Sequence, residues 1–110
     1  MEILTKEMKR VSLLTVSGRV DSNTAPDFDK ALQALISAGR PQIVVDMKGV
    51  EYLSSAGLRA LVSAAKAAKH SGGDVRIAQP SQRVKEVMGL AGLTAIFIIY
   101  DELVEAVGSF

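Results

Sequence analysis

The sequence predicts a single α/β domain spanning residues 1–110: a mixed, mostly parallel β-sheet with a leading hairpin, packed against about four helices. Three observations predict it. Short apolar runs alternate with stretches of helical period, which is the pattern of successive βαβ units. Two β-rich runs at the N-terminus are separated only by Lys9 and Arg10, as in a hairpin. The segment QIVVDMKGVEYLSSAGLRALVSAAKAAKHS, from Gln42 to Ser71, reads as buried strand, loop and amphipathic helix in immediate succession.

Taken in order, Glu2 to Met8 and Val11 to Ser17 form the hairpin strands, and Gly18 ends the second and opens the loop GRVDSNT. Thr24 is the expected cap of the first helix, with Pro26 in its first turn and Asp27 three residues on as a short capping box. Phe28, Ala31, Leu32, Leu35 and Ile36 keep helical period until Gly39 and Pro41 stop it. Ile43, Val44 and Val45 make a strand ending near Asp46, Gly49 supplies a turn, and the next helix starts at Ser54 and Ser55. In that helix Leu58, Leu61, Val62 and Ala65 form the expected core stripe, with Arg59, Ser63 and Lys66 outside it. Gly72 and Gly73 close it. A strand over Asp74–Ala78, a helix capped by Ser81 and carrying Val84, Val87 and Met88, a strand over Ile96–Tyr100 and a short helix from Asp101 complete the chain.

Composition narrows the function. Thirteen basic residues against twelve acidic, scattered along the chain with few aromatics, exclude a nucleic-acid surface. With no cysteine and one histidine, disulfides, thiol chemistry and a transition-metal site drop out, and no cofactor is expected. The N-terminus lacks the layout of a signal peptide and no apolar run is long enough to span a bilayer, so a cytoplasmic chain is expected.

Parallel strands fix one relation directly. The loops after the second and third strands follow carboxyl ends of neighbouring parallel strands, so they share a sheet edge, where open α/β folds carry their sites. Asp21, Ser22 and Asn23 are therefore candidate neighbours of Ser54 and Ser55. The plain reading of both serines is helix capping, of Asp21 a turn former, and of Asp46 a strand-end residue bonding loop amides. A serine hydrolase fails: position 53 is Leu where a nucleophile elbow needs Gly, and His70 lies ~22 Å along the same helix from Ser55. No phosphate-cradling glycine motif occurs, and a receiver domain with Asp46 as acceptor lacks its acidic pair after the first strand.

The block VVDMKGVEYLSSAGLRAL, together with GRVD after the second strand and the order of elements, resembles the STAS family and in particular its anti-sigma factor antagonists. The resemblance implies a non-enzymatic module of a partner switch. Its unmodified form would bind an anti-sigma factor with serine-kinase activity and release a sigma factor; phosphorylation would abolish binding, and a phosphoserine phosphatase would restore it. The acceptor falls on Ser55. Ser54, standing where the family often has Asp, is the second choice. Asp21 and Asp46 match the family's loop and strand-end aspartates. Partner contact is implied for Asp21, Ser22, Asn23, Ser54, Ala56, Gly57 and Arg59, with Thr24 and Asp46 shaping the site. Two alternatives are a nucleotide-binding regulatory STAS module and a structural STAS subunit of a larger assembly.

Overall fold

The computed structural model describes residues 1–110. Five strands, β1 (Glu2–Met8), β2 (Val11–Val20), β3 (Gln42–Leu53), β4 (Asp74–Ala78) and β5 (Ile99–Tyr100), form one sheet in the order β1-β2-β3-β4-β5. Only β1 and β2 are antiparallel. The helices are α1 (Ala25–Ser37), α2 (Ser55–His70), α3 (Gln82–Leu90) and α4 (Leu103–Gly108), with a 3₁₀ turn at Leu93–Ala95. Because each parallel strand is laid beside the one before it, crossovers of one hand place α1, α2 and α3 on the same face.

Strand alternation divides the sheet between two apolar clusters. Leu14, Val16, Ile43, Val45, Met47, Val75 and Ile77 point toward Phe28 and Leu32 of α1, Leu61 and Ala64 of α2, and Val84 and Met88 of α3. Val11, Leu13, Val44 and Ala78 point the other way, against Ala106 of α4 and its neighbours Leu103, Val107 and Phe110. Arg76 fastens α4 there: its guanidinium donates to the Ser109 carbonyl and hydroxyl at 2.6 Å and stacks 4.0 Å from the Phe110 ring centre. No helix is long and apolar enough to cross a membrane.

The hairpin turn, which carries no Gly, Asn or Asp, is held by a distant residue. Lys9 adopts a left-handed φ of 57°, and Arg40 donates to the Lys9 carbonyl at 2.8 Å and to Ser12 Oγ at 2.9 Å. At the far end of α1, Gly39 at φ 79° carries the chain into a Schellman motif, in which the Arg40 amide donates to Leu35 O and the Gly39 amide to Ile36 O.

The structure corrects four expectations about the bounds and faces of these elements. First, β2 does not end at Gly18. The glycine sits inside the strand at φ 86°, between two register shifts, and pairing resumes to Val20. Second, the expected loop Lys48–Ser54 is strand almost to its end. Gly49 makes no turn; it faces Ser17 so closely that a Cβ would lie 2.8 Å from that residue's Cβ. Third, the expected strand over Ile96–Tyr100 shrinks to Ile99–Tyr100, because β4 offers it only Ile77 and Ala78 and the 3₁₀ turn has already buried Leu93. Fourth, the core stripe of α2 is rotated. Gly57, Ala60, Leu61, Ala64, Ala65 and Ala68 are buried, while Leu58 and Val62 are only half-buried on its flank. Small residues let the helix sit low on the sheet, so its larger apolar side chains fall to the side.

Candidate functional site: the tip of β2 and β3

β3 outruns β4. Their last pair is Asp46 with Ala78, whereas β2 and β3 continue together to Val20 and Leu53. The two strands thus project as a ribbon beyond the rest of the sheet, and the turn into α1 and the start of α2 lie side by side at its tip. The Ser54 amide donates to Val20 O at 2.8 Å, joining the two junctions directly. The shared edge expected from parallel strands is present.

On one side of the tip, Asp21 organises a tight turn. Its Oδ1 accepts the amides of Asn23 at 2.9 Å and Thr24 at 3.1 Å, and its own carbonyl accepts the Ala25 amide at 2.8 Å. The Thr24 amide, foremost, holds the Asp21 carboxyl below its ordinary value; desolvation opposes this, and the Asn23 amide, the Thr24 hydroxyl and Arg19 support it. Thr24 precedes α1 but does not cap it with its side chain, and the short capping box with Asp27 does not form. The Thr24 hydroxyl turns back instead, donating to Arg19 O at 2.9 Å and accepting the Asp21 amide at 2.9 Å. Asp21 and Thr24 therefore brace the turn mutually, leaving Ser22 and Asn23 exposed at its apex.

On the other side, Ser54 is the cap of α2. Its backbone is extended and its Oγ accepts the Gly57 amide at 3.3 Å. Gly57 is fixed by packing, since a Cβ would lie 2.7 Å from Leu53 Cδ1 and 2.8 Å from Val20 Cγ1. Ser55 follows as the first helical residue. It is exposed, and its hydroxyl takes part in no hydrogen bond within the chain. The two serines thus separate into a structural one and a free one.

Asp46 is not brought to this site. It lies in mid-strand on the face of Val44, the face covered by α4, and is 8% exposed. Five residues of β2 separate its partner Thr15 from Val20 at the tip, about 16 Å at ~3.3 Å per residue. Its Oδ1 accepts the Lys48 amide at 3.1 Å, a local role within the irregular part of β3.

Two grooves flank the start of α2. The larger, about 550 Å³, runs between α2 and the turn after α3; Leu58, Val62, Ala91 and Leu93 supply its apolar surface, and Ser55, Arg59 and Lys66 lie along it. The smaller, about 290 Å³, lies between α2 and the start of α1, beside Ser22, Asp29 and Ala56. Arg59 borders both. The grooves are not legible in the sequence, because helical period places Leu58 and Val62 in the core; the one signal is an alanine-rich stripe offset by a residue from them.

Comparison with known proteins agrees with this geometry. The STAS domain model matches residues 2–106. BtrV of Bordetella bronchiseptica, provisionally named an anti-sigma factor antagonist, is 26% identical over all of this chain and 95% of its own length. The crystal structure of an anti-sigma factor antagonist from Mycobacterium paratuberculosis superimposes with a TM-score of 0.83 at 31% identity, covering 98% of this chain and 92% of that one. SpoIIAA of Bacillus, solved in a phosphorylated form, shares the fold at 14% identity, with a TM-score of 0.78 and 98% of each chain covered. A sheet in sequential order with an antiparallel lead strand, a free serine opening α2 and a family model matched over nearly the whole length lead to one conclusion: this chain belongs to the STAS domain family.

Proposed function

We propose that the chain is an anti-sigma factor antagonist whose binding is switched by phosphorylation of Ser55. The observation that carries the reading is the separation of the two serines: Ser54 Oγ is engaged as the cap, while the Ser55 hydroxyl stands free and exposed at the first helical position. A kinase-active anti-sigma factor transfers the γ-phosphoryl group of ATP to Ser55 Oγ, which loses its proton as ADP leaves. A phosphatase returns the hydroxyl by hydrolysis. The chain itself catalyses neither step.

The physical chemistry of the position supports a switch on binding rather than on folding. A phosphate brings ≈ −1.5 to −2 charges and strong acceptor oxygens. At the start of α2 the free amides and the helix dipole accommodate an anion, so the fold is kept. A partner seated on the tip meets that charge beside the Asp21 carboxylate, and desolvating the pair against its surface is costly. The exposed Ser22 and Asn23, the half-buried Ala56 and the Arg59 ridge form the surroundings of the acceptor and serve as the partner contact. The relatives' names support the partner's class.

Mass spectrometry of the protein from its native cells tests the reading, with phosphate expected at Ser55. Ser55→Ala is expected to abolish modification while keeping the partner, and Ser55→Asp to keep the fold and lose the partner. A chain phosphorylated elsewhere, or a Ser55→Asp protein that binds as tightly as the parent, contradicts it.

A further inference from the structure

The geometry points to Arg59 as the counter-ion of a phosphate carried on Ser55, an intrahelical latch that rests on the reading of Ser55 as acceptor. Residues four apart on a helix lie one above the other, about 6 Å between Cβ atoms, and an anion N-terminal to a cation is the favoured order. Arg59 is exposed and belongs to none of the three ion pairs, which join Arg40 to Glu7, Arg76 to Asp74 and Lys85 to Asp101. It stacks on no ring, unlike Arg19 on Tyr52 and Arg76 on Phe110. Its planar fork matches a phosphate in bidentate fashion, as a lysine's point charge does not.

The surroundings leave Arg59 available. Across the smaller groove α1 presents Asp29, which is beyond ion-pair distance of Arg59 and has one carboxylate oxygen buried without a hydrogen-bond partner. The turn after α3 contributes only Ala91 and Leu93 to the larger groove, and neither is charged. On α2 itself the other cation of that groove, Lys66, lies eleven residues from Ser55, about 16 Å along the axis. The other guanidinium near the tip, that of Arg19, lies over the Tyr52 ring at 4.3 Å, so the uncommitted one is that of Arg59.

The latch makes phosphorylation change two features of the docking surface at once. An anion appears at Ser55, and the free cation on the ridge between the grooves is drawn to it and neutralised. Arg59 in the unmodified chain offers a partner a positive rim; in the modified chain it does not.

The test uses the full chain with phosphoserine installed at position 55 during synthesis, so that it depends on no kinase or partner. A ³¹P titration reads the second phosphate pKa, ordinarily ≈ 6. It is expected to rise by roughly 0.2–0.4 unit in Arg59→Gln, the size of a favourable i, i+4 charge pair. Arg59→Lys is expected to fall between parent and Arg59→Gln, and Lys66→Gln to match the parent. Equal values in the parent and Arg59→Gln overturn the latch, as does a Lys66→Gln shift equal to that of Arg59→Gln, which would mark a diffuse field rather than a pair. A native protein never phosphorylated at Ser55 would sink the proposed function while leaving the titration difference intact.

Discussion

Ser54 and Ser81 open α2 and α3 with the same device. Each follows a parallel strand of the sheet, each has extended backbone, and each side-chain oxygen accepts the amide three residues on, from Gly57 at 3.3 Å and from Val84 at 3.2 Å. The surroundings differ. α2 starts at the tip of the projecting β2–β3 ribbon, joined to a second turn and flanked by two grooves; α3 starts at the end of the short β4. After Ser54 comes a free hydroxyl with an unpaired arginine one turn on. After Ser81 comes Gln82, whose amide donates at 3.5 Å to Glu86, the residue in the place that Arg59 holds in α2; Lys85 is paired with Asp101 at 2.8 Å, and the exposed Arg83 has no free hydroxyl one turn before it. A capping serine is therefore a structural feature at both junctions, and what distinguishes a candidate switch is the uncommitted chemistry beside it.

The largest expected effect breaks the low seating of α2 on which the tip depends. Leu61 is fully buried, and Leu61→Ala is expected to cost roughly 2–5 kcal/mol through the cavity left behind, measured by denaturant unfolding. A loss below ~1 kcal/mol would mean that α2 is not anchored as described.

The third residue after each cap sharpens the contrast. α3 has Val84 there, 1% exposed, whereas α2 has no room for any side chain at Gly57. Gly57→Ala is expected to destabilise by about 1–3 kcal/mol despite its better helix propensity, because Leu53 and Val20 must shift. A stabilised Gly57→Ala protein would show that the junction is loosely packed.

The caps themselves should be equivalent. Ser54→Ala and Ser81→Ala are each expected to cost ~1 kcal/mol, and Ser55→Ala to stay within about 0.5 kcal/mol of the parent. If Ser55→Ala costs as much as Ser54→Ala, the assignment of one serine to structure and the other to chemistry is wrong.

The smallest effect concerns pH. The Asp21 carboxyl is held below its ordinary value in the folded chain, so what it contributes to the turn is fully present above the unfolded Asp value of about 3.9 and is lost as pH falls through the lower folded value. The amide signals of Asn23 and Thr24 should accordingly shift on the acid side of that value. A midpoint at or above it would show that the turn does not depend on the ionised carboxylate.

Much of the fold was legible because it rests on local chemistry. The helical period of Phe28, Leu32 and Leu35, the stop at Gly39 and Pro41 and the cap at Ser81 are written in neighbouring residues and appear as expected. Features set by long-range pairing were not. Gly18 and Gly49 read as turn formers, yet the bulged pairing of β2 with β3 keeps both within strands. Thr24 read as a side-chain cap, but its hydroxyl found better partners in Arg19 and Asp21. Of the site, the shared edge of Asp21 and Ser55 followed from strand direction alone. Asp46 bonds the Lys48 amide, the local role its sequence position suggests, but it lies away from the tip because β3 continues beyond it, a length set by its pairing with β2.

The most direct test of the account is the affinity of the anti-sigma partner for two forms of this chain, one unmodified and one carrying phosphate on Ser55, by titration calorimetry at one salt concentration. The account predicts binding weakened by about 100-fold or more on phosphorylation, since an unfavourable buried charge costs several kcal/mol and each ~1.4 kcal/mol is tenfold. Equal affinities for two equally folded forms would contradict it.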